Sequence, residues 1–453
     1  MSNVRLYAVT FVVSLVQVAT GMLLGWPSPM IPKLMAEDST LRISRNEASW
    51  TVSLLKLGMA FGCLLSTFIV DHLGRKITIL IAIVPAISSW SLIAWGSSIT
   101  TLYAARIIGG IGSGMVFTAG SIYVTEIAPP HIRGALGSFF VMMDYCGSLL
   151  GYVIGSFTTM AEYAYAGMSL TTLQFLIFVW FPETPYYLLR RKRYAPAMDS
   201  LMFLRGTGGV SEEMDSIMRS VECEPRNTGV VSAILDLMSK AGGRRAILIG
   251  VCVMTLQAFS GSIILIAYTQ PIFKKIHNVD SQETYMSIVL AVMQLITYCL
   301  CIGHVDRMGR KPLMIISVVG VVISSFLLGV YFCMLENNID VDSLNWLAFT
   351  AILVYAVSVS LGLTSVPFVI MNEVFPMYAK ATCIGLCFCL NLLWSFVLVW
   401  ICSVVAFEHS MYVAFWIISA LNALGIIFLT IYLPETKRMS LSRIEERIVR
   451  KKM

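Results

Sequence analysis

The chain has 453 residues, of which 57% are apolar and 13% charged, and its net charge is +6. Soluble domains carry about 25% charged residues, so this composition, with a mean hydropathy of +0.79, excludes a soluble globular protein. The basic residues lie scattered in loops between apolar segments, which argues against a nucleic-acid-binding surface.

Apolar runs long enough to cross a hydrocarbon core of roughly 30 Å recur along the whole sequence. The first run follows Arg5 and continues to Trp26, which is too long for the apolar region of a cleavable signal. The sixth is the weakest prediction, because Glu162, Tyr163 and Tyr165 crowd its start. The twelve predicted spans are 6–26, 50–70, 77–97, 101–124, 135–158, 162–181, 245–272, 282–304, 312–335, 345–371, 381–404 and 411–433. We therefore expect an all-α membrane protein with twelve transmembrane helices.

The distribution of basic residues predicts the orientation of these spans, because cytoplasmic loops are enriched in Lys and Arg. With the N-terminus inside, only five of the 32 Lys and Arg fall outside and two, Lys56 and Arg106, lie within spans. The other 25 are cytoplasmic. We therefore expect both termini in the cytoplasm and, without a sorting signal before the first span, a plasma-membrane location.

The longest polar interval, 185–244, separates two groups of six spans. It divides the chain into an N-terminal half (1–184), a linker with short helices, a C-terminal half (245–436) and a cytoplasmic tail (437–453). The basic run from Arg190 to Arg193 can bind anionic lipid or form a solvated cytoplasmic face, and we favour the solvated face.

Three short motifs occur twice in the same order, which indicates a duplicated architecture. Residues 71–76 read D-H-L-G-R-K and residues 306–311 read D-R-M-G-R-K. The pattern E-x-x-P-x-x-x-basic occurs at 126–133 and 373–380, and P-E-T occurs at 182–184 and 434–436. All of these motifs fall on the predicted cytoplasmic side.

The repeated motifs place charges of both signs at neighbouring span ends, where they can tie the helices together. The predicted members are Asp71, Arg75, Lys76, Arg106, Glu126, Arg133, Asp306, Arg307, Arg310, Lys311, Glu373 and Lys380. Gly74 and Gly309 suit the tight turns before each Arg-Lys pair, and Gly110 and Gly114 let the fourth span approach a neighbour closely. The charges can instead be cytoplasmic loop residues without a further role. Because that reading leaves the repeated acids unexplained, we favour a latch that biases outward- and inward-facing states.

Two halves of six spans, a long linker and cytoplasmic charged motifs resemble the major facilitator superfamily. Within it, the sequence is similar to the sugar porter family: R-x-x-x-G-x-G from Arg106, Y-x-x-E-I-A-P-x-x-x-R-G from Tyr123, P-E-T-P-Y-Y-L from Pro182 and P-E-T-K from Pro434. G-W-P-S-P and N-E-A-S-W near the first loop resemble the branch with insect facilitated trehalose transporters and vertebrate glucose transporters. The resemblance implies the major facilitator fold and transport of a sugar, trehalose or a hexose, by alternating access.

Polar side chains about halfway along three spans mark a candidate solute site, because two-half transporters bind their solute near the midplane between the halves. Gln257, Gln294 and Asn391 all qualify. Their carboxamides offer donors and acceptors without charge, which suits a neutral polyol. Each can instead bond a neighbouring helix, but three at one depth favour a site.

The resemblance adds four candidates and shows departures from the family pattern: Ser260, Tyr152, Phe368 and Ser395. Gln257 and Ser260 match the span-seven motif, in which Ala258 and Ile263 replace a second glutamine and an asparagine. Gln294 stands where relatives have an asparagine, and Phe368 stands in place of a tryptophan that packs on the sugar. Tyr152 occupies the position of a span-five glutamine, and Ser395 that of a partner of Asn391.

Two charged residues inside spans bear on coupling. Asp144 in span five either has a coupling role, by the rule that intramembrane charges are functional, or simply pairs near the inner surface. Lys56 is expected to extend toward the outer interface. Proton-coupled relatives carry an acid in span one, which is absent here, so the resemblance implies uniport.

The leading function is facilitated transport of a sugar, with a sugar-binding sensor and a carrier of a non-sugar neutral solute as alternatives. We expect no enzymatic activity, because no nucleophile–base set or metal cluster appears. The expected partners are a small neutral solute and the lipid bilayer, with no cofactor, no nucleic acid and a monomeric protein.

Overall fold

The computed structural model describes residues 3–37, 39, 41–129, 131–206, 210–222, 230–276, 282–375, 380–406 and 410–435. The predicted cytoplasmic tail lies outside these residues, and so do the side chains of Asp306 and Arg307.

The described part of the chain is helical throughout its length. The helices of the N-terminal half are α1 (Asn3–Gly25), α2 (Pro27–Met35), α3 (Arg45–Leu73), α4 (Arg75–Trp95), α5 (Ile99–Ile127), α6 (Arg133–Phe157) and α7 (Met160–Phe178). The linker forms α8 (Pro185–Arg190), α9 (Tyr194–Arg205), α10 (Val210–Glu222) and α11 (Val230–Ser239). The second half forms α12 (Ala241–Phe259), α13 (Ser262–Lys274), α14 (Glu283–Met308), α15 (Arg310–Glu336), α16 (Asn345–Ser358), α17 (Val366–Val374), α18 (Lys380–Val404) and α19 (Met411–Ile431).

Helices occupy all twelve predicted spans. Eleven segments of the described chain are long and apolar enough to cross a membrane. The twelfth is α7, a helix of 19 residues, which coincides with the span that the sequence predicts most weakly. The prediction of a twelve-helix membrane protein is confirmed.

Two spans are interrupted where the sequence predicts continuous helices, and the first span is extended by a further helix. The first span is followed at once by α2, which has Pro27 at its first position and extends the apolar segment to Met35. Gly261 separates α12 from α13 with φ +69°, a left-handed conformation that glycine adopts without steric cost. A π-helical turn, Val359–Leu363, separates α16 from α17. Such breaks free backbone groups in the middle of the bundle, and they occur where a cavity or a side chain satisfies those groups.

The close packing of α3 on α5 depends on small residues, as the sequence predicts. A Cβ atom at Gly110 would collide with the carbonyl oxygen of Leu55, and one at Gly114 with that of Met59. The backbones of the two helices therefore touch directly. This contact fixes α3, which also packs on α18 of the other half.

The linker helices pack at the end of the bundle where α1 begins, which we call the linker end. Tyr187 of α8 donates a hydrogen bond to the carbonyl of His72, at 3.0 Å. Arg205 of α9 donates to the carbonyl of Ile127, at 2.8 Å, and forms an ion pair with Glu213. These contacts join the linker to the ends of α3 and α5.

Candidate functional site

A charge cluster at the linker end of the N-terminal half has Arg75 at its centre. Its guanidinium contacts Glu126 at 2.8 Å and Asp71 at 3.3 Å. Arg75 is buried with only 7% of its side chain exposed, and the side chain of Glu126 is 16% exposed. Glu126 also accepts a hydrogen bond from the hydroxyl of Thr184, at 2.5 Å. The buried charges are therefore paired and hydrogen-bonded, as burial requires.

The C-terminal half repeats this cluster with equivalent residues. Arg310 contacts Glu373 at 2.8 Å, and its Nε donates to the same carboxylate oxygen at 3.1 Å. Lys311 donates to the carbonyl of Thr430 through Nζ, at 2.8 Å. The sequence repeat thus corresponds to a repeat in three dimensions.

The glutamates of the two P-E-T motifs complete the clusters, although neither is among the predicted members. Glu183 accepts hydrogen bonds from the backbone N–H groups of Arg75 and Lys76, at 3.0–3.2 Å. Glu435 accepts from the N–H groups of Arg310 and Lys311, both at 3.1 Å. A carboxylate at these first turns satisfies unpaired donors and the helix dipole. The signal was present in the sequence, since P-E-T recurs with the other motifs.

Burial raises the pKa of the Glu183 carboxylate by more than its hydrogen bonds lower it. The carboxylate is largely desolvated between α4 and α8, which raises its pKa, while the donated N–H bonds of Thr184 and Lys76 oppose that rise. The four hydrogen bonds to N–H groups therefore hold an anion in an otherwise unfavourable place.

Arg133 does not pair with Glu126, in contrast to the prediction. Its guanidinium is directed to the carbonyl of Ala128, at 3.5 Å, because Arg75 already occupies the Glu126 carboxylate. Lys380 lies close enough to Glu373 for electrostatic attraction but beyond ion-pair distance. In both clusters the central ion pair joins helices of the same half, Arg75 with Glu126 and Arg310 with Glu373. The latch stays a prediction.

Arg106 is placed away from the linker-end clusters, in the interior of the N-terminal half. It is 1% exposed, and its guanidinium donates to the carbonyls of Thr51 and Leu23, at 3.0 and 2.8 Å. It also lies over the ring of Trp26, at 5.3 Å. Three helices are thus held together by one cation.

Two basic residues of the linker contact the end of α3. Arg190 forms an ion pair with Asp71 at 3.1 Å, and Arg191 donates to the carbonyls of Asp71 and His72. A cation at a helix C-terminus is stabilised by the dipole and by the free carbonyls. These two members of the basic run therefore bind protein groups.

The candidate solute residues lie near the middle of the bundle. Gln294 and Asn391 each lie eleven residues beyond the first residue of their helix, Glu283 in α14 and Lys380 in α18, which start at opposite ends of the bundle. At 1.5 Å per residue this is about 16 Å along the axis. Gln257 lies at the level of Asn391, because its Oε1 accepts a hydrogen bond from Asn391, at 3.3 Å.

The carboxamides differ in what they bind. Gln257 donates to the carbonyl of Thr364, at 3.1 Å, and Asn391 to that of Met254, at 2.8 Å. Both are therefore bonded to protein. Gln294 is 3% exposed and has no hydrogen-bond partner among the described residues. Of the three, Gln294 has the amide that is free to bind a solute.

The four candidates from the family resemblance lie in different places. Ser260 is fully buried and donates to the carbonyl of Gln257, so it supports the break before α13. Tyr152 lies toward the end opposite the linker, where it donates to the carbonyl of Ile266, at 2.6 Å. Phe368 packs on other aromatic rings, and Ser395, 4% exposed, lies one turn after Asn391 on α18.

Lys56 is predicted to extend to the outer interface, and this prediction is wrong. Its side chain lies inside the bundle. It is 6% exposed and lies eleven residues beyond Arg45, the first residue of α3. Asp144 lies eleven residues beyond Arg133, near the middle of α6. The attraction of the Asp144 carboxylate offsets part of the cost of burying the ammonium group.

Comparison with known proteins places the chain in a family. The family described as "Sugar (and other) transporter" matches residues 21–447. The chain belongs to this family. It is therefore a multi-pass membrane protein of a transporter family and not an enzyme.

Relatives in this family resemble the chain over nearly its whole length. It is 29% identical to the facilitated trehalose transporter Tret1 of Bombyx mori, covering 97% of this chain and 86% of the relative. It is 29% identical to the facilitated glucose transporter member 8 of Mus musculus, covering 97% and 94%. The inward-open xylose transporter XylE of E. coli has the same fold, with a TM-score of 0.79 and 22% identity over 98% and 99% of the two chains.

The two halves of this family member also touch on both sides of the midplane. Toward the linker end, Phe117 of α5 stacks on Phe388, at 4.5 Å between ring centroids, and contacts Phe368 at 6.1 Å. We call these three residues the aromatic cluster. It joins α5 to α17 and α18, and it covers the carboxamides from the linker side.

Hydrogen bonds between the halves cover the opposite side of the midplane. Gln270 of α13 donates two hydrogen bonds to the N-terminal half: its backbone N–H to Ser28, at 3.1 Å, and its side-chain amide to Ser156, at 2.9 Å. Tyr152 adds its bond to Ile266 at the same level. The midplane residues are thus enclosed by contacts that separate when either side opens.

Proposed function

We propose that this protein is a facilitated transporter of a sugar, trehalose or a hexose, and that it works by alternating access. The observation that carries the proposal is the set of carboxamides near the middle of the C-terminal half, with Gln294 free to bind a hydroxyl. The named activities of the relatives, facilitated trehalose and glucose transport, support the same solute class.

The solute site in this proposal consists of residues with different tasks. Gln294 binds the solute directly, and Ser395 lines the site beside Asn391. Gln257 and Asn391 exchange their protein hydrogen bonds for solute hydroxyls when the halves move. Phe368 supplies an apolar surface for the ring of a sugar. Ser260 and Tyr152 support the surrounding helices.

Uniport, a plasma-membrane location, cytoplasmic termini and a monomeric state complete the proposal. The described residues of α1 contain no acidic side chain, which supports uniport. The basic residues gathered at the linker end support cytoplasmic termini. The duplicated charge clusters support the division into two halves joined by a linker.

A carrier of a less hydroxylated neutral solute is the second candidate. The mutual hydrogen bond of Gln257 and Asn391 and the adjoining aromatic cluster favour it, because they leave few free polar groups at the midplane. An unpaired sugar hydroxyl costs about 1–3 kcal/mol, so each lost partner shifts preference toward a less polar solute.

Uptake into proteoliposomes tests the proposal. Radiolabelled trehalose, glucose, fructose, polyols and unrelated solutes are compared, with and without an imposed proton gradient. We expect saturable flux of at least one sugar that stops at equal concentrations on both sides. Flux of none of the sugars by folded protein would contradict sugar transport, and accumulation that collapses with the gradient would contradict uniport and implicate Asp144.

A further inference from the structure

The midplane of the N-terminal half contains two opposite charges that no described residue satisfies. Oδ1 of Asp144 is buried and has no hydrogen-bond partner in the described part of the protein. Lys56 attracts Asp144 electrostatically, but the two are not within ion-pair distance of each other. Buried charges are costly unless paired and hydrogen-bonded. Asp144 Oδ1 therefore keeps an acceptor position that no described residue uses.

Two neighbouring polar groups are occupied. Arg106, the other buried cation near Lys56, is bound to two backbone carbonyls and to the Trp26 ring. Tyr145, which follows Asp144, donates its hydroxyl to Thr364 of the other half, at 2.9 Å. Neither group is available to complete the coordination of Lys56 or Asp144.

The charged pair lies about one helical turn from Gln294 along the bundle. The helices α6 and α14 pack against each other across the two halves. Tyr145, which follows Asp144, lies 5.1 Å from Tyr298 between ring centroids, and Gln294 precedes Tyr298 by one turn of α14. A solute that binds Gln294 and extends one turn toward the linker end therefore reaches the level of Asp144.

We infer that Lys56 and Asp144 form a charged subsite, at which one hydroxyl group of the transported solute accepts a hydrogen bond from Lys56 and donates one to Asp144. This inference rests on the proposed function and names the N-terminal contribution to its solute site. A hydroxyl is both donor and acceptor and adds no net charge, so it matches a pair of opposite charges. A carboxylate or an ammonium group would match one member and leave the other unpaired.

The subsite explains how a site with few free carboxamides still binds a polyol. Hydrogen bonds to ionised groups are roughly twice as strong as those between neutral groups. Two of them on one hydroxyl therefore replace several neutral contacts. The subsite therefore selects neutral polyhydroxylated molecules, and one hydroxyl of the solute contributes most to its binding.

Transport kinetics of paired variants test the subsite. The variants are Asp144→Asn, Lys56→Met and the double variant, assayed in proteoliposomes with D-glucose, trehalose and the 1-, 2-, 3-, 4- and 6-deoxy analogues of glucose. We expect each single change to raise KM about tenfold or more. The double variant should be no worse than the worse single variant, because both changes remove the same bridge.

The deoxy series gives the sharper result. In the wild type, one analogue should bind about tenfold more weakly than glucose. In Asp144→Asn and in Lys56→Met, that difference should disappear, since the missing hydroxyl no longer has its charged partners. Lys56→Arg keeps the charge and should keep most of the discrimination.

Matched controls test for non-specific effects of these substitutions, and binding measurements separate loss of binding from loss of transport. Glu37→Gln and Lys274→Met make the same chemical changes at exposed positions and should leave KM unchanged. Sugar-induced thermal stabilisation of purified protein reports binding if a variant folds but does not transport. Folded variants with wild-type KM and an unaltered deoxy pattern would overturn the subsite. A wild type without flux or stabilisation for any sugar would overturn the proposed function as well.

Discussion

Asn391 donates a hydrogen bond to Gln257, and Gln257 in turn donates to the carbonyl of Thr364. This chain of bonds links α18, α12 and the break between α16 and α17. Gln257 therefore holds three helices of the C-terminal half together at the midplane. Gln294 makes no such contact with the described residues, so the two glutamines have different tasks.

Replacing each glutamine by alanine should separate these tasks. Gln294→Ala should raise KM for the transported sugar about tenfold or more and leave the thermal unfolding temperature unchanged, because it removes a solute contact. Gln257→Ala should lower both uptake and the unfolding temperature, because the carbonyl of Thr364 loses its donor, at a cost of about 1–3 kcal/mol. Gln282→Ala, at an exposed position, is the control. Unchanged uptake in Gln294→Ala would remove it from the site.

The Arg75–Glu126 pair should show strong coupling. Arg75→Gln leaves the Glu126 carboxylate buried without its partner, which should cost about 3–5 kcal/mol of stability. The double variant Arg75→Gln/Glu126→Gln should recover a large part of that loss, since no unpaired charge remains. Thermal or denaturant unfolding in detergent measures both. Arg133→Gln is the matched control, and an equal loss there would show that Arg75 is not the partner of Glu126.

Gly74 should tolerate no side chain. Its φ of +98° is unfavourable for other residues, and a Cβ atom there would collide with the Glu183 carboxylate. Gly74→Ala should therefore destabilise the protein by at least about 1 kcal/mol. Gly137→Ala, inside α6 with open space around it, should be neutral or slightly stabilising. A Gly74→Ala protein as stable as the wild type would show that this turn does not require glycine.

The aromatic cluster should control opening at the linker end. Cys63 donates to the carbonyl of Gly385 across the halves, at 3.8 Å, and is 1% exposed. Phe117→Ala removes the stacking on Phe388, so the halves should separate more often there and N-ethylmaleimide should label Cys63 several-fold faster. Mass spectrometry of labelled peptides measures the labelling rate of each cysteine. Cys333, away from this contact, is the internal control. Equal labelling of Cys63 in both proteins would contradict this role.

Local sequence determined the class and the repeat of this protein. A long apolar run that crosses lipid forms a helix, because a helix pairs all of its own backbone N–H and C=O groups. The repeated D-x-x-G-R-K, E-x-x-P and P-E-T motifs correctly indicated two equivalent charge clusters, and Gly74 and Gly309 have the positive φ that their turns require. These features depend on short stretches of chain, so the sequence alone is sufficient to find them.

Only the tertiary structure decided which charges and amides meet. Glu126 pairs with Arg75 from another helix rather than with nearby Arg133, and Gln257 is occupied by Thr364 and Asn391. Lys56 lies inside the bundle, where Asp144, from a helix far along the chain, is near enough to attract it electrostatically. Such partners are set by how helices pack and rotate against one another, and the strength of a buried charge interaction depends on distances of a few ångströms. Neither quantity is contained in the spacing of residues along one span.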